Sequence, residues 1–574
     1  MALSRFWQLY LFILTACLLC TDTTTTDGLS YHVLTAPVCW AFLCSAPTAL
    51  ISWRWVRLAL QLLVATVVFM LCLIDCYCQE FFLSAISPQL LSTVLNTDMR
   101  EAGEFFSTFV DYRVLLRWRL DALLLLFIVF IASCFLRLSA DGKRPALRWA
   151  KRTGLLLLLL CCSAEVLPAW HFMQFFRSAT DSQVTEGLIF RRYHHEVPTP
   201  LHRFAFAHHT SALTEQMLDG IITATQNATT DSCTHRSPHI ALIIGESYNK
   251  HHSALYGYPL PTTPRQQQRQ AEGSLLVFTD VVSPWNITSN TFLDVFSVWD
   301  SGAEGSQADY PLFPVLFRQS GYHVRFFSNQ FLLKALLRGS GNEAGRFFLS
   351  NKRLSKQLFD HRNRRDGRYD LAMVEQLEKY KRKHPDEPYT LDIIHLIGQH
   401  FKYAERYPKA AAVFTENDYA HRRELTRQQR QTVMHYDNAT RFNDEVVDLL
   451  LQRYEDEEAV VVYMADHGEE VYDDLPVEGR LYQDPTAPQA HQEFEVPLWI
   501  WTSEKYRERH PDITDRIRQA ANRPFMTDAL PQLLLDLAGI RCRWYRPEAN
   551  PLSDNYRPGP RIIARSKDYD QLMK

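Results

Sequence analysis

The stretch "ALIIGES", Ala241–Ser247, reads as a buried strand that stops at a glycine, a carboxylate and a hydroxyl. A carboxylate at the carboxyl end of a parallel strand is placed to hold a metal, a phosphate or a proton. Downstream, short apolar runs alternate with helical segments. Ile240–Ile244, Leu275–Val281, His323–Phe327, Thr390–Leu396, Ala459–Met464 and Val496–Trp501 read as strands, and stretches such as Thr426–Tyr454 as helices. This alternation predicts an α/β domain with a largely parallel central sheet and helices on both faces. Ligand-bearing groups then belong at the carboxyl ends of its strands.

Several of those ends carry reactive side chains. The first supplies Glu246. "HLIGQH" supplies His395 and His400, "ADHGEE" supplies Asp466 and His467, and "APQAHQEFEVP", ahead of the last strand, supplies His491. A lone histidine after a strand is usually structural, but carboxylates and imidazoles gathered at one sheet edge suit zinc or another borderline metal. The segment "VVSPWNITSNTFLDVFSVW", 281–299, breaks at Pro284 and turns helical. Thr288, Ser289 and Thr291 lie at that helix start, where a hydroxyl serves either as a cap or as a nucleophile beside a phosphoryl-binding helix N-terminus.

The first third of the chain differs in composition. Windows at 6–20, 28–50, 58–75, 120–137 and 153–171 are apolar and read as five membrane spans. Arg54 and Arg57 follow the second window, and Lys143, Arg144, Arg148, Lys151 and Arg152 follow the fourth. Basic loops stay cytoplasmic, so residues 172–574 are expected outside, in the periplasm if the cell is bacterial. The segment 80–117 is apolar at helical spacing yet too polar to span, so amphipathic helices on the outer membrane face are expected there. The expected organisation is a membrane domain over 1–171, a bridge over 172–236 and a catalytic domain over 237–574.

Net charge is −3 over 574 residues, which gives no sign of nucleic-acid binding. Ten of the twelve cysteines fall in the membrane region, where they act as small apolar side chains; only Cys233 and Cys542 lie beyond it.

The motifs "GES", "HHSALYGYPLPTTP", "GYHVRFFSNQ", "HLIGQH", "YDNATRFNDEVV" and "ADHGEE" resemble, in that order, those of bacterial phosphoethanolamine transferases. That resemblance implies an inner-membrane, multi-pass enzyme with an alkaline-phosphatase-like periplasmic domain. It implies Zn2+ held by Glu246, Thr288, Asp466 and His467, with Thr288 as the nucleophile that takes up phosphoethanolamine. By the same resemblance His400 contacts the substrate phosphate or a second metal, His491 assists catalysis, and His395 contacts substrate. Thr97 and Glu101, in "TVLNTDMREAGE", would contact the donor, phosphatidylethanolamine. The family's acceptors are lipid A, lipopolysaccharide core sugars and periplasmic glucans. The nucleophile segment is "WNITSN" rather than Ser-Cys-Gly-Thr, which places the chain nearer the core- or glucan-directed members. Glycerol-phosphate transfer, phosphodiester hydrolysis and a non-catalytic envelope scaffold are the alternative readings.

Overall fold

The computed structural model describes residues 2–21, 31–82, 85–87, 90–91, 117–135, 145–178, 198–330, 348–481 and 484–574. The chain divides into two compact units, the first holding most of residues 1–214 and the second most of 215–574. Thr97, Glu101 and most of the segment 80–117 lie outside the described residues.

The first unit is helical: α1 (Ala2–Leu19), α2 (Tyr31–Ala49), α3 (Arg54–Phe82), α4 (Trp118–Phe135) and α5 (Pro145–Ser178). Among the described residues two stretches, Arg54–Phe81 and Trp118–Phe135, are long and apolar enough to cross a membrane; Arg5–Leu19 and Val33–Ala49 are apolar but shorter. Leu63, Val67 and Met70 on α3, with Leu125, Ile128 and Val129 on α4, point outward. Such a surface suits lipid, whereas a water-facing helix bundle carries charge there. Within the unit, Asp75 of α3 is fully buried and ion-paired with Arg203, as a charge withdrawn from water requires. A further helix, α6 (Pro200–Gln226), carries the chain towards the second unit.

The second unit is built on one seven-stranded sheet. Its strands are β1 (His239–Gly245), β2 (Leu275–Phe278), β3 (His323–Ser328), β4 (His361–Arg362), β5 (Thr390–His395), β6 (Ala459–Ala465) and β7 (Leu498–Thr502). Their spatial order is β2-β7-β6-β1-β5-β3-β4. Every residue of β5 and β6 is buried, so both faces of the sheet are covered. Continuous apolar runs such as "AVVVYMA" are what strands buried on both faces require. One group of packed helices comprises α7 (Thr288–Phe296), Phe313–Gln319 and Leu530–Ala538. Another comprises α8 (Leu371–Lys383) and α9 (Arg427–Gln452), the latter opened by a Thr426–Gln429 capping box.

The sheet is mixed. β1 runs parallel to both β5 and β6, but β7 is antiparallel to β6 and to β2. The chain leaves β6, forms the loops at its carboxyl end and returns directly into β7, which forces the reversed direction. The run expected as one strand over Leu275–Val281 is two: β2, then Val281–Val282, which pairs with Phe525–Met526 in a separate ribbon.

Candidate metal and nucleophile centre

Register decides what meets at the sheet edge. Gly245 of β1 is paired with Ala465 of β6, and Ile244 with His395 at the end of β5. The next residues, Glu246 and Asp466, therefore leave the sheet side by side, with His395 alongside. Ser247 takes a left-handed backbone (φ 53°), which turns the chain sharply after the acid. Asp466 Oδ1 accepts from the backbone N–H of Ser247 (3.0 Å) and of His467 (2.8 Å), so the two strand ends are bolted together.

Glu246, Asp466 and His467 are fully buried, and their ligand atoms lie within 4.8 Å of one another. His467 Nδ1 lies 2.7 Å from the Gly468 carbonyl. A ring nitrogen facing a carbonyl must donate, so Nε2 keeps its lone pair and can accept or ligate. Thr288 is the first helical residue of α7, with Ile287 as the N-cap. Its Oγ1 sits 3.2 Å from both Glu246 carboxylate oxygens and 3.1 Å from His467 Nε2. The other two hydroxyls of that helix start point elsewhere. Ser289 Oγ donates to Asn290 Oδ1, and the buried Thr291 Oγ1 donates to the Trp285 carbonyl. Packing thus selects one hydroxyl from three.

Electrostatics point the same way. Burial opposes charge on Glu246, yet His395, His467, His400 and Arg480 bring its carboxyl well below the usual range. Burial, and then the Glu246 charge, push Asp466 well above it. Burial and the neighbouring Arg480 lower the His467 imidazole to about 3, keeping it neutral. Two buried acids, a neutral imidazole with a lone pair on Nε2 and a hydroxyl make a donor set that a zinc ion satisfies. Among the described residues Asp466 Oδ2 is buried without a hydrogen-bond partner, a cost that a cation would remove.

The histidine pair of "HLIGQH" flanks this centre. His395 Nε2 is 3.6 Å from Glu246 Oε2, while its Nδ1 meets Ser328 Oγ at 3.1 Å. His400 is buried, which holds its imidazole well below the ordinary value, and its ring lies tilted against Phe401. Buried Asp370 accepts from the backbone N–H groups of Ile397 (2.8 Å) and Gly398 (2.9 Å) and so fixes the turn between them. Gly398 has φ +43°, and a Cβ there would lie 2.8 Å from the Glu246 carbonyl oxygen, so the motif demands glycine at this point.

His491 is placed elsewhere, contrary to the expectation drawn from its position ahead of the last strand. Its ring packs on His251 at 3.9 Å between centroids, and its Nδ1 meets Asp474 at 2.6 Å. Among the described residues no polar contact joins it to Glu246, Asp466 or His467. Residues 490–494 form a π-turn, and strand proximity alone does not set where a side chain on such a turn points. Sequence reasoning also missed Arg480. Its Nη1 donates to His467 Nε2 at 2.6 Å and its Nε lies 3.5 Å from Glu469 Oε2. A single arginine in a loop, without periodicity or motif, offers no signal in sequence.

The family profile named Sulfatase matches residues 238–540, more than half of the chain. The chain belongs to the sulfatase family. Relatives include phosphoethanolamine transferase EptC of Escherichia coli (strain K12), 27% identical over 346 residues, covering 58% of this chain and 57% of the relative. Phosphoethanolamine transferase CptA of Salmonella typhimurium is 26% identical over 347 residues, with the same coverage of each. The chain thus matches about 57% of the length of these curated relatives. Among solved structures, the C-terminal periplasmic domain of EptC from Escherichia coli in complex with Zn superposes with a TM-score of 0.52 at 27% identity. It covers 60% of this chain and 96% of that one. The integral membrane protein EptA from Neisseria meningitidis, a lipooligosaccharide phosphoethanolamine transferase, gives a TM-score of 0.63 at 17% identity. It covers 97% of this chain and 99% of that one, so the likeness in fold takes in the helical unit as well.

Proposed function

We propose that this sulfatase-family member is a zinc-dependent phosphoethanolamine transferase. It moves phosphoethanolamine from phosphatidylethanolamine to a lipopolysaccharide or periplasmic glucan acceptor through a phospho-threonine intermediate. The observation that carries the reading is the placement of Thr288 Oγ1, 3.1–3.2 Å from Glu246 and His467 at a helix N-terminus. The activity for which EptC and CptA are named, and the zinc complex of the EptC domain, support it.

Glu246, Asp466, His467 and Thr288 would hold the zinc, which supplies Lewis acidity that lowers the hydroxyl pKa. Thr288 Oγ attacks the donor phosphorus, its proton is lost, and the bond from phosphorus to the diacylglycerol oxygen breaks, that oxygen taking up a proton. An acceptor hydroxyl then attacks the same phosphorus and loses its proton, and the Thr288 O–P bond breaks with return of a proton to Thr288. The N-terminal N–H groups of α7 face the developing negative charge. His395, His400 and Arg480 line the same end of the sheet and would steady the phosphate oxygens. The donor is a bilayer lipid, so the reading includes an inner-membrane, multi-pass anchor with the catalytic unit in the periplasm; the apolar helices α3 and α4 support it. Within it, the segment 80–117, through Thr97 and Glu101, would guide the donor.

The segment around Thr288 contains no Cys-x-Pro-x-Arg, which counts against sulfate-ester hydrolysis. Labelled phosphatidylethanolamine in mixed micelles tests the proposal. Release of diacylglycerol together with a phosphoethanolamine adduct on Thr288, read by mass spectrometry, is expected. Turnover of phosphatidylglycerol with no adduct from phosphatidylethanolamine would point instead to glycerol-phosphate transfer.

A further inference from the structure

A second group of ligand-type side chains lies in the catalytic unit. His251, His491 and Glu495 place their ligand atoms within 4.8 Å of one another, and none of the three belongs to the Glu246–Asp466–His467 group. We propose that these three residues form a second, solvent-accessible site for a borderline transition metal such as zinc, oriented by Asp474 and separate from the nucleophile centre.

The geometry supports a ligand role for each. Asp474 Oδ2 sits 2.6 Å from His491 Nδ1 and also accepts from Gln492 Nε2 at 2.8 Å. A carboxylate on one ring nitrogen makes that nitrogen the donor and leaves Nε2 with its lone pair outward, the arrangement seen behind metal-bound imidazoles. Among the described residues His251 Nε2 is buried and makes no hydrogen bond, and Glu495 Oε2 lies 3.3 Å from it. Glu495 is fixed by Tyr569, whose hydroxyl donates to Oε1 at 2.6 Å. Two imidazoles with one carboxylate is a zinc-type set, too nitrogen-rich for calcium or magnesium. His251 and His491 are 29% and 36% exposed, so an ion can enter without unfolding and water can fill a remaining position.

The backbone is already organised around this cluster. The π-turn Ala490–Phe494 inserts one residue relative to an α-turn and carries His491. Asn249 Nδ2 donates to Gln492 Oε1 at 2.7 Å, which ties the segment bearing His251 to the segment bearing His491. One cation competes for the site: Lys250 Nζ lies 2.8 Å from Glu495 Oε2. The same ammonium reaches the Thr279 carbonyl at 3.0 Å, so it retains a partner when a metal takes the carboxylate. That competition makes the second site the weaker of the two.

The test uses the full-length protein in detergent, stripped of metal and brought to equilibrium by dialysis against Zn2+, with zinc per chain read by elemental analysis. Wild type is expected to exceed H251A/H491A by one equivalent, and D466A is expected to exceed D466A/H251A/H491A by the same amount. Cobalt replaces zinc in a parallel series, where the visible d–d band of D466A should vanish in the triple variant. H491Q keeps the side-chain volume and should lose the same equivalent, and thermal unfolding of each variant checks that the fold is intact. Equal stoichiometry with and without His251 and His491, or a D466A protein that binds neither zinc nor cobalt, overturns the proposal. Neither readout depends on transferase activity, so failure here leaves the assignment of the nucleophile centre standing.

Discussion

Gly468 follows His467, a proposed zinc ligand, and Gly468→Ala tests how tightly the centre depends on backbone contact. An added Cβ would sit 2.1 Å from the carbonyl oxygen of Gln492. Ordinary van der Waals contact begins near 3.4 Å, so one of the two backbones must retreat by more than about 1 Å. Neither moves freely. Gly468 N–H donates to the Glu493 carbonyl at 2.8 Å, and the Gly468 carbonyl accepts from His467 Nδ1 at 2.7 Å. The shift therefore passes to His467, whose Nε2 stands 3.1 Å from Thr288 Oγ1. Displacement of a reacting group by about 1 Å costs roughly 10²-fold in rate, and overpacking of this kind costs about 1–3 kcal/mol in stability. The expected phenotype is a folded protein with weakened zinc binding and about 10²-fold slower release of diacylglycerol from phosphatidylethanolamine. Gly559→Ala is the control, because nothing lies within 4 Å of its added Cβ. Wild-type zinc content and turnover in Gly468→Ala would refute the claim that this contact positions His467.

Thr288→Ala should abolish the covalent adduct, whereas Ser289→Ala and Thr291→Ala should retain it; an adduct on Ser289 in the trapped enzyme would show the wrong hydroxyl was assigned. Asp466→Ala should lose the tightly held zinc and all turnover while thermal unfolding remains cooperative, and full occupancy in elemental analysis would contradict its role as ligand. His252 offers a pH signature. Burial alone would lower its imidazole, but Asp437 and Asp473, at 2.6 and 2.8 Å, raise it to about 10. A group raised in the folded state stabilises fully below its unfolded value near 6.5 and loses that contribution as pH climbs through the folded value, here between about pH 6.5 and 10. The displacement corresponds to roughly 5 kcal/mol at most. Chemical denaturation at pH 7 and pH 10 should therefore show wild type losing more stability than His252→Gln, and parallel losses would remove His252 as the cause.

Much of the architecture was legible in one dimension because burial writes itself into residue order. "ALII" and "AVVVYMA" are continuous apolar runs, and only a sheet covered on both faces accepts them. The windows 58–75 and 120–137 are mostly apolar and fall on α3 and α4, the two stretches among the described residues long and apolar enough to cross a membrane. Glu246, Asp466 and His467 were legible because parallel register turns position after a strand into position in space: Gly245 opposite Ala465 leaves their successors adjacent. Arg480 and the reversed β7 had no such rule behind them. The arginine reaches His467 from a loop whose path depends on packing, and the direction of β7 depends on how the chain returns from the end of β6. His491 shows the limit most plainly. Its place ahead of the last strand was visible in the sequence, but the π-turn that aims it at His251 and Asp474, away from Thr288, is set by contacts with residues far away in the chain. The choice of Thr288 over Ser289 and Thr291 has the same origin: three hydroxyls share one helix start, and only the tertiary packing of α7 against the ends of β1 and β6 points one of them at the acids.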